Sequence, residues 1–265
     1  MLADAHFVRG RSHAVCQDYA LCGPGARGAW AVVCDGCSSS PETDVGARLL
    51  AHAAATALRR GRLPGSIAIV REAVEVAGRL GLPPCSVDAT LVAAVVHGDA
   101  IVGIIRGDGI VAARRRCDGA VELTMRRCRD ETPDYPSVVL DPGRRAAWDD
   151  REGLRAWIER RAWPETATAP TCAPERAHAW VGRFARDRYD RVLVASDGLA
   201  SLCERDGRAP LDPAWVAARI LDAPSTTGCF VRRRMLRLGQ TDGPFGDARP
   251  DDDLAVAVLA WGEDA

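Results

Sequence analysis

The sequence contains no lysine and no asparagine, so all of its side-chain basic charge beyond histidine is arginine. That bias points to a GC-rich genome and carries no physical constraint of its own. Charge of one sign is also lacking: 36 acidic residues stand against 35 basic ones, a net charge of −1. Nothing in that balance favours nucleic acid or an anionic membrane as a partner. No uninterrupted apolar run reaches the ~18–20 residues that span a bilayer. The opening stretch MLADAHFVRGRSH lacks the apolar segment of a signal peptide, so the expected compartment is the cytoplasm. Solenoid repeats, low-complexity tracts and clear linkers are missing as well, which leaves one domain over 1–265 as the simplest count.

The ten cysteines are read as reduced thiols, most of them small core fillers. Cys34 and Cys37 form a C-x-x-C, but no second pair of similar spacing exists, which disfavours a zinc site. What the chain does have is 47% hydrophobic and 27% charged residues, the make-up of an ordinary globular protein with a sizeable core.

The patterning mixes strands and helices. AWAVVC (29–34) is apolar and β-branched, fit for a strand. ETDVGARLLAHAAATALRR (42–60) follows as a helix, acidic at its start and arginine-rich at its end, as the helix dipole favours. SIAIVREAVEVAGRL (66–80) predicts a second amphipathic helix. ATLVAAVVH and AIVGIIRGDGIVAARR read as two strands joined at His97-Gly98-Asp99, a hairpin signal, and AVELTM continues the meander. The arginine-rich middle is the least legible part, with a helix expected over REGLRAWIERRAW (151–163). RVLVAS is a strand, PAWVAARIL and CFVRRRMLRLG are helices, and LAVAVLAW is the last strand. Strand runs interleaved with paired helices predict an α+β layered fold of mostly antiparallel sheets.

Acidic residues recur where strands end. The set comprises Gln17-Asp18, Asp35-Gly36, Gly107-Asp108-Gly109, Ser196-Asp197-Gly198 and Asp252-Asp253. Any one of them alone is a turn signal, and Asp99 and Asp118 are left as turns. As a set they pose a problem, because converging carboxylates raise one another's pKa and a bare buried carboxylate costs several kcal/mol. Hard divalent cations with oxygen ligands remove it, and two of them ~3.5–4 Å apart can bind a phosphate and activate a water.

The order of these motifs resembles the metal-dependent protein phosphatase 2C family of Ser/Thr phosphatases, in a bacterial branch. The likeness spans nearly the whole chain. It is carried by SHAVCQD (12–18), VCDGCSSSPETDVGARLL (33–50), DATLVAAVV (88–96), IIRGDG (104–109), DETPDYPSVVLDP (130–142), LVASDGLASL (193–202), CFVRRRMLRL (229–238) and DDDLAVAVL (251–259). The resemblance implies a four-layer α-β-β-α sandwich, two mostly antiparallel sheets flanked by helix pairs. It implies Asp35 as the ligand bridging two Mn²⁺ or Mg²⁺ ions, with the Gly36 carbonyl on one of them. Asp197 and Asp252 would complete the second ion's shell, Asp18 would hold metal-bound water, and Asp108 together with Asp197 could hold a third ion. A water held between the ions would attack phosphorus in line, with no phosphoenzyme. The implied substrate is a phosphoprotein and the implied partner an opposing Ser/Thr kinase.

This sequence departs from the family pattern in places. Cys37 stands where some relatives carry a histidine proposed as general acid. Ser38-Ser39 replaces a glycine pair, Ala255 a threonine and Gly109 a serine. For the phosphate-binding arginine near the N-terminus, His13 occupies the matching column and Arg11 is adjacent. The alternative function is a catalytically inactive phosphatase-like module that binds phosphoproteins or a kinase; ligand carboxylates at every metal position argue for the enzyme.

Overall fold

The computed structural model describes residues 1–63, 67–128, 135–149, 156–164, 171–175, 178–204 and 209–262. The chain begins with β1 (Leu2–Val8), β2 (Asp18–Gly25) and β3 (Gly28–Asp35), then α1 (Thr43–Arg59) and α2 (Ile67–Arg79). A meander follows: β4 (Leu91–His97), β5 (Ala100–Arg106), β6 (Gly109–Arg115) and β7 (Val121–Cys128). The middle holds α3 (Pro142–Asp149), β8 (Ala156–Trp163), β9 (Thr171–Glu175), β10 (Ala179–Ala185) and β11 (Tyr189–Ala195). The last elements are β12 (Leu202–Cys203), α4 (Pro213–Leu221), α5 (Phe230–Met235), β13 (Arg249–Pro250) and β14 (Leu254–Ala260).

Two large sheets result, with strand orders β1-β14-β11-β6-β7-β8-β9 and β10-β5-β4-β3-β2, every paired neighbour antiparallel. Period-two alternation divides each strand between two cores. On β6, β11 and β14, Val111, Ala113, Val192, Val194, Ala255, Ala257 and Leu259 point inward to the other sheet, meeting Val33, Val92, Ala94, Ile101 and Ile105. Their neighbours Ile110, Ala112, Leu193, Val256 and Val258 face outward to α4 and α5. On the five-stranded sheet, Val32, Cys34, Ala93 and Val95 face α1 and α2 instead. Each fully buried Val or Leu contributes about 1.5–3 kcal/mol, so three such cores are ample for a chain of this size. The arrangement is the α-β-β-α sandwich that the resemblance implies.

Two elements differ from the sequence expectation. The expected helix over 151–163 is a strand where it is described: Ala156–Trp163 forms β8, and 151–155 lie outside the described residues. Its apolar residues alternate, with Ala156 and Ile158 buried and Trp157 and Glu159 less so, and its backbone is paired on both sides by β7 and β9. AIVGIIRGDGIVAARR is not one strand. It crosses from the five-stranded sheet to the seven-stranded one at Gly107-Asp108, so that β5 and β6 belong to different sheets. Asp118 does close a turn as expected, its carboxylate accepting from the Ala120 N–H at 3.1 Å. Among the described residues no helix is long and apolar enough to cross a membrane.

Candidate metal centre

The acidic strand ends converge at one edge of the sandwich. Asp35 closes β3, Asp108 sits at the crossing between the sheets, and Asp197 opens a short 3₁₀ turn directly after β11. One carboxylate oxygen from each of the three lies within 4.8 Å of the others. They form part of the wall of a cavity of about 560 Å³, together with Asp252, His13, Cys37, Tyr135, Arg126 and Arg127.

Packing fixes each of these side chains. Thr90 brackets Asp35: its N–H donates to the Asp35 carbonyl at 2.8 Å, and its hydroxyl accepts from the Asp35 N–H at 3.3 Å. The glycines of both Asp-Gly pairs serve close backbone approach. A Cβ on Gly36 would lie 2.7 Å from the Thr43 carbonyl at the start of α1. One on Gly198 would lie 1.7 Å from the Asp253 carbonyl. The second contact keeps the Asp197 turn against the segment that carries Asp252 and Asp253. Asp108 is held from behind by Arg126, a side chain only 1% exposed whose guanidinium donates to the Gly107 carbonyl.

Asp18 lies behind this group, 1% exposed, opposite Asp35 in the β2–β3 pairing. Its carboxylate accepts from the Ser196 hydroxyl at 2.5 Å, and Ser196 in turn accepts from the Ala255 N–H at 3.0 Å. The three-carboxylate group does not include Asp252, although Asp252 lines the same cavity.

The electrostatics follow from geometry. Burial pushes Asp18 up to about 7, partly offset by hydrogen bonds from Ser196 and Asp35. Burial, then the charge of Asp197, pushes Asp108 up to about 8. Asp35 is raised well above the usual carboxylate range by burial and by the charges of Asp18, Asp197 and Asp108. Burial and the charge of Asp252 raise Asp197 too. With no cation, the mutual repulsion of these buried carboxylates favours uptake of protons by the cluster. One oxygen of Asp108, Oδ1, is buried with no hydrogen-bond partner. Acceptors alone, converging and short of donors, are the donor set of a hard divalent cation.

The N-terminal loop approaches from the other side. His13 places Nδ1 2.9 Å from the Asp253 carboxylate and Nε2 3.4 Å from Asp252. Burial lowers the imidazole pKa, but the Asp253 hydrogen bond and the charges of Asp253, Asp252 and Asp18 outweigh it and raise it. Arg11 turns away to pair with Asp251 at 3.2 Å and is not among the residues lining the cavity. Cys37 lines the cavity while Cys34 is buried beneath α1, so the two thiols of the C-x-x-C face different surroundings. Burial raises the Cys37 thiol, yet hydrogen bonds from Ser39 and the Tyr135 hydroxyl bring it below its usual value.

Several residues that build the site have no role assigned from the sequence. Asp253, 2% exposed, accepts from the Gly10 and Gln17 N–H groups at 2.8 and 2.6 Å and ties the loop down. Asp88, 3% exposed, holds Ser40, Ser137 and, bidentately, Arg144 at 2.8 and 3.0 Å, fastening α3 beside the 36–40 loop. Among the described residues, Arg126 and Arg127 supply the cavity's guanidinium groups. Asp88, Asp253 and Tyr135 stand inside the quoted motifs, which was the available signal; nothing local marks Arg126 or Arg127 among 35 arginines.

Comparison with known proteins agrees with this geometry. The family model described as protein phosphatase 2C matches residues 9–225. Solved structures of similar fold include the Staphylococcus aureus serine/threonine phosphatase Stp1, with 15% identity, TM-score 0.54, and coverage of 99% of this chain and 96% of that one. The S. agalactiae serine/threonine phosphatase has 15% identity, TM-score 0.53 and coverage of 98% and 99%. The Mycobacterium tuberculosis serine/threonine phosphatase PstP/Ppp has 20% identity, TM-score 0.50 and coverage of 98% of each chain. Comparison with curated proteins gives no match. At such identities the structural likeness shows the fold; the family model, matching well over half of the residues, shows that the chain belongs to the protein phosphatase 2C family.

Proposed function

We propose that the whole chain, 1–265, is one metal-dependent phosphatase domain that hydrolyses phosphoserine and phosphothreonine in cytoplasmic proteins, opposing a Ser/Thr kinase. The observation that carries this is the Asp35, Asp108 and Asp197 group, with oxygens within 4.8 Å and the buried Asp108 Oδ1 short of a partner. Asp35, Asp108, Asp197 and Asp252, with the Gly36 carbonyl, would hold two or three Mn²⁺ or Mg²⁺ ions. Ions held there would supply neutralisation of the carboxylates and Lewis-acid activation of a water toward the phosphorus.

The chain's own residues do the rest. Asp18, fixed by Ser196, orients Asp35 from behind. Arg126 holds the backbone beside Asp108, so that this carboxylate keeps its direction as charge changes in front of it. Three rigid strand ends supply this precision better than mobile loops would. The leaving oxygen finds no histidine at position 37. Cys37 and Tyr135 line that corner of the cavity instead, and the Cys37 sulfur contacts the Ser39 hydroxyl at 3.0 Å.

Hydrolysis of a phosphothreonine peptide and of p-nitrophenyl phosphate, with Mn²⁺, with Mg²⁺ and with excess EDTA, tests the proposal. The expected outcome is release of inorganic phosphate with either ion and none in EDTA. Full activity in EDTA, or no activity with any divalent ion, rejects it.

A further inference from the structure

A phosphate monoester carries up to two negative charges, and a side-chain cation would add to the metals' hold on it in a site walled by aspartates. Among the described residues, the cationic groups lining the cavity are His13, Arg126 and Arg127. His13 stands between two acids, its ring nitrogens 2.9 Å from Asp253 and 3.4 Å from Asp252. Arg126 is 1% exposed and holds the Gly107 carbonyl and the Cys128 sulfur. Arg11, the nearest arginine in the N-terminal loop, is paired with Asp251 outside the cavity.

Arg127 differs from all three. Its side chain is 55% exposed and it lines the cavity beside Asp197. Its acidic partner, Glu159, stands 3.4 Å from Nε, while Arg161 engages the same carboxylate at 2.5 Å. Glu159 is therefore already matched by the shorter contact with Arg161. A guanidinium so placed can turn to a phosphate and bind it through two parallel N–H donors.

From this the geometry points to Arg127 as the side chain that grips the substrate's phosphoryl group, replacing an arginine from the N-terminal loop. The inference rests on the proposed phosphatase activity for its meaning, but its test does not require turnover. On binding, the guanidinium leaves Glu159, which stays paired with Arg161, and takes two oxygens of the phosphoryl group.

Inorganic phosphate, titrated calorimetrically into the Mn²⁺-loaded protein, reads the contact directly. Arg127→Ala should weaken phosphate binding about tenfold or more, the scale of one charge-assisted hydrogen-bond pair. Its Mn²⁺ stoichiometry should match the wild type, which separates a lost phosphate contact from a damaged metal site. Arg127→Lys should fall between the two, since it keeps the charge and loses the fork. In turnover of p-nitrophenyl phosphate the same order should appear in KM and in inhibition by phosphate. Phosphate binding by Arg127→Ala within about twofold of wild type would overturn the inference. So would a loss on Arg11→Ala that Arg127→Ala does not show. A wild type that binds phosphate through Arg127 yet hydrolyses nothing would reject the proposed function while leaving this contact standing.

Discussion

Asp18 and Asp35 face each other across the β2–β3 pair, the first residue of one strand against the last of the other. Two acids directly opposed would ordinarily destabilise a sheet. Here the pair is stabilised from the other sheet, because Ser196 donates to Asp18 while accepting from Ala255. The candidate metal centre thus stands at a junction of both sheets, and the hydroxyl of Ser196 is one of its links.

Ser196→Ala should therefore reach the site without touching a substrate. It removes one donor to a buried carboxylate, at a cost of about 1.5–3 kcal/mol in stability. It should also lower Mn²⁺ affinity or activity about 10–100-fold, as the loss of outer partners to metal ligands does. Thermal melting and a Mn²⁺ titration of activity check both. Unchanged Mn²⁺ dependence would show that Asp18 is not positioned through Ser196.

Without metal, stability should fall as pH rises. Asp18 and Asp108 have folded pKa values near 7 and 8, above the ordinary 3.8 of the unfolded chain. Between those limits the folded state binds more protons than the unfolded state, so raising pH favours unfolding. Their contribution is complete below about pH 4 and is lost as pH passes 7 to 8. In EDTA, Tm should drop between pH 5 and pH 8 by about 2–4 °C for each kcal/mol lost. Saturating Mn²⁺ should flatten or reverse the trend, because the ions take over the neutralisation. A metal-free Tm that rises over this range would contradict the assigned electrostatics.

Much of this was legible in the sequence, and the exceptions have physical causes. Asp35 and Asp197 follow strongly apolar strands, so local pattern alone placed them at strand ends. β8 was misread because WIERRAW offers arginine and tryptophan at spacings that also suit a helix. Pairing with β7 and β9, a tertiary contact that no local pattern within 156–163 records, decides it. The sheet crossing at Gly107-Asp108 was hidden by apolar residues that continue on both sides of it. Arg11 and His13 could not be ranked from sequence, since their partners Asp251, Asp252 and Asp253 lie more than two hundred residues away. The identity of Arg127 as a cavity residue depends equally on tertiary placement.

Cys37 offers a chemical test of the same cavity. Its thiol lines the cavity that the Asp35, Asp108 and Asp197 carboxylates share, whereas Cys34 lies buried in the core. Mild peroxide should oxidise the Cys37 thiolate to a sulfenic acid with release of water, and dithiothreitol should reduce it back to the thiol. Reversible inactivation is expected for the wild type, and Cys37→Ser should resist it. Equal inactivation of both proteins would remove Cys37 from the explanation.

The central claim is that the clustered aspartates hold divalent ions that a phosphatase reaction needs. Its most direct measurement is phosphate release from a phosphothreonine peptide as Mn²⁺ is added back to EDTA-stripped protein, for wild type and for Asp35→Ala and Asp197→Ala. The account predicts no release before addition and saturable activation of the wild type. Each variant should lose more than about 100-fold in turnover, beyond the loss of an outer partner, while remaining folded. Metal-independent release, or either variant turning over at a near-wild-type rate, would contradict it.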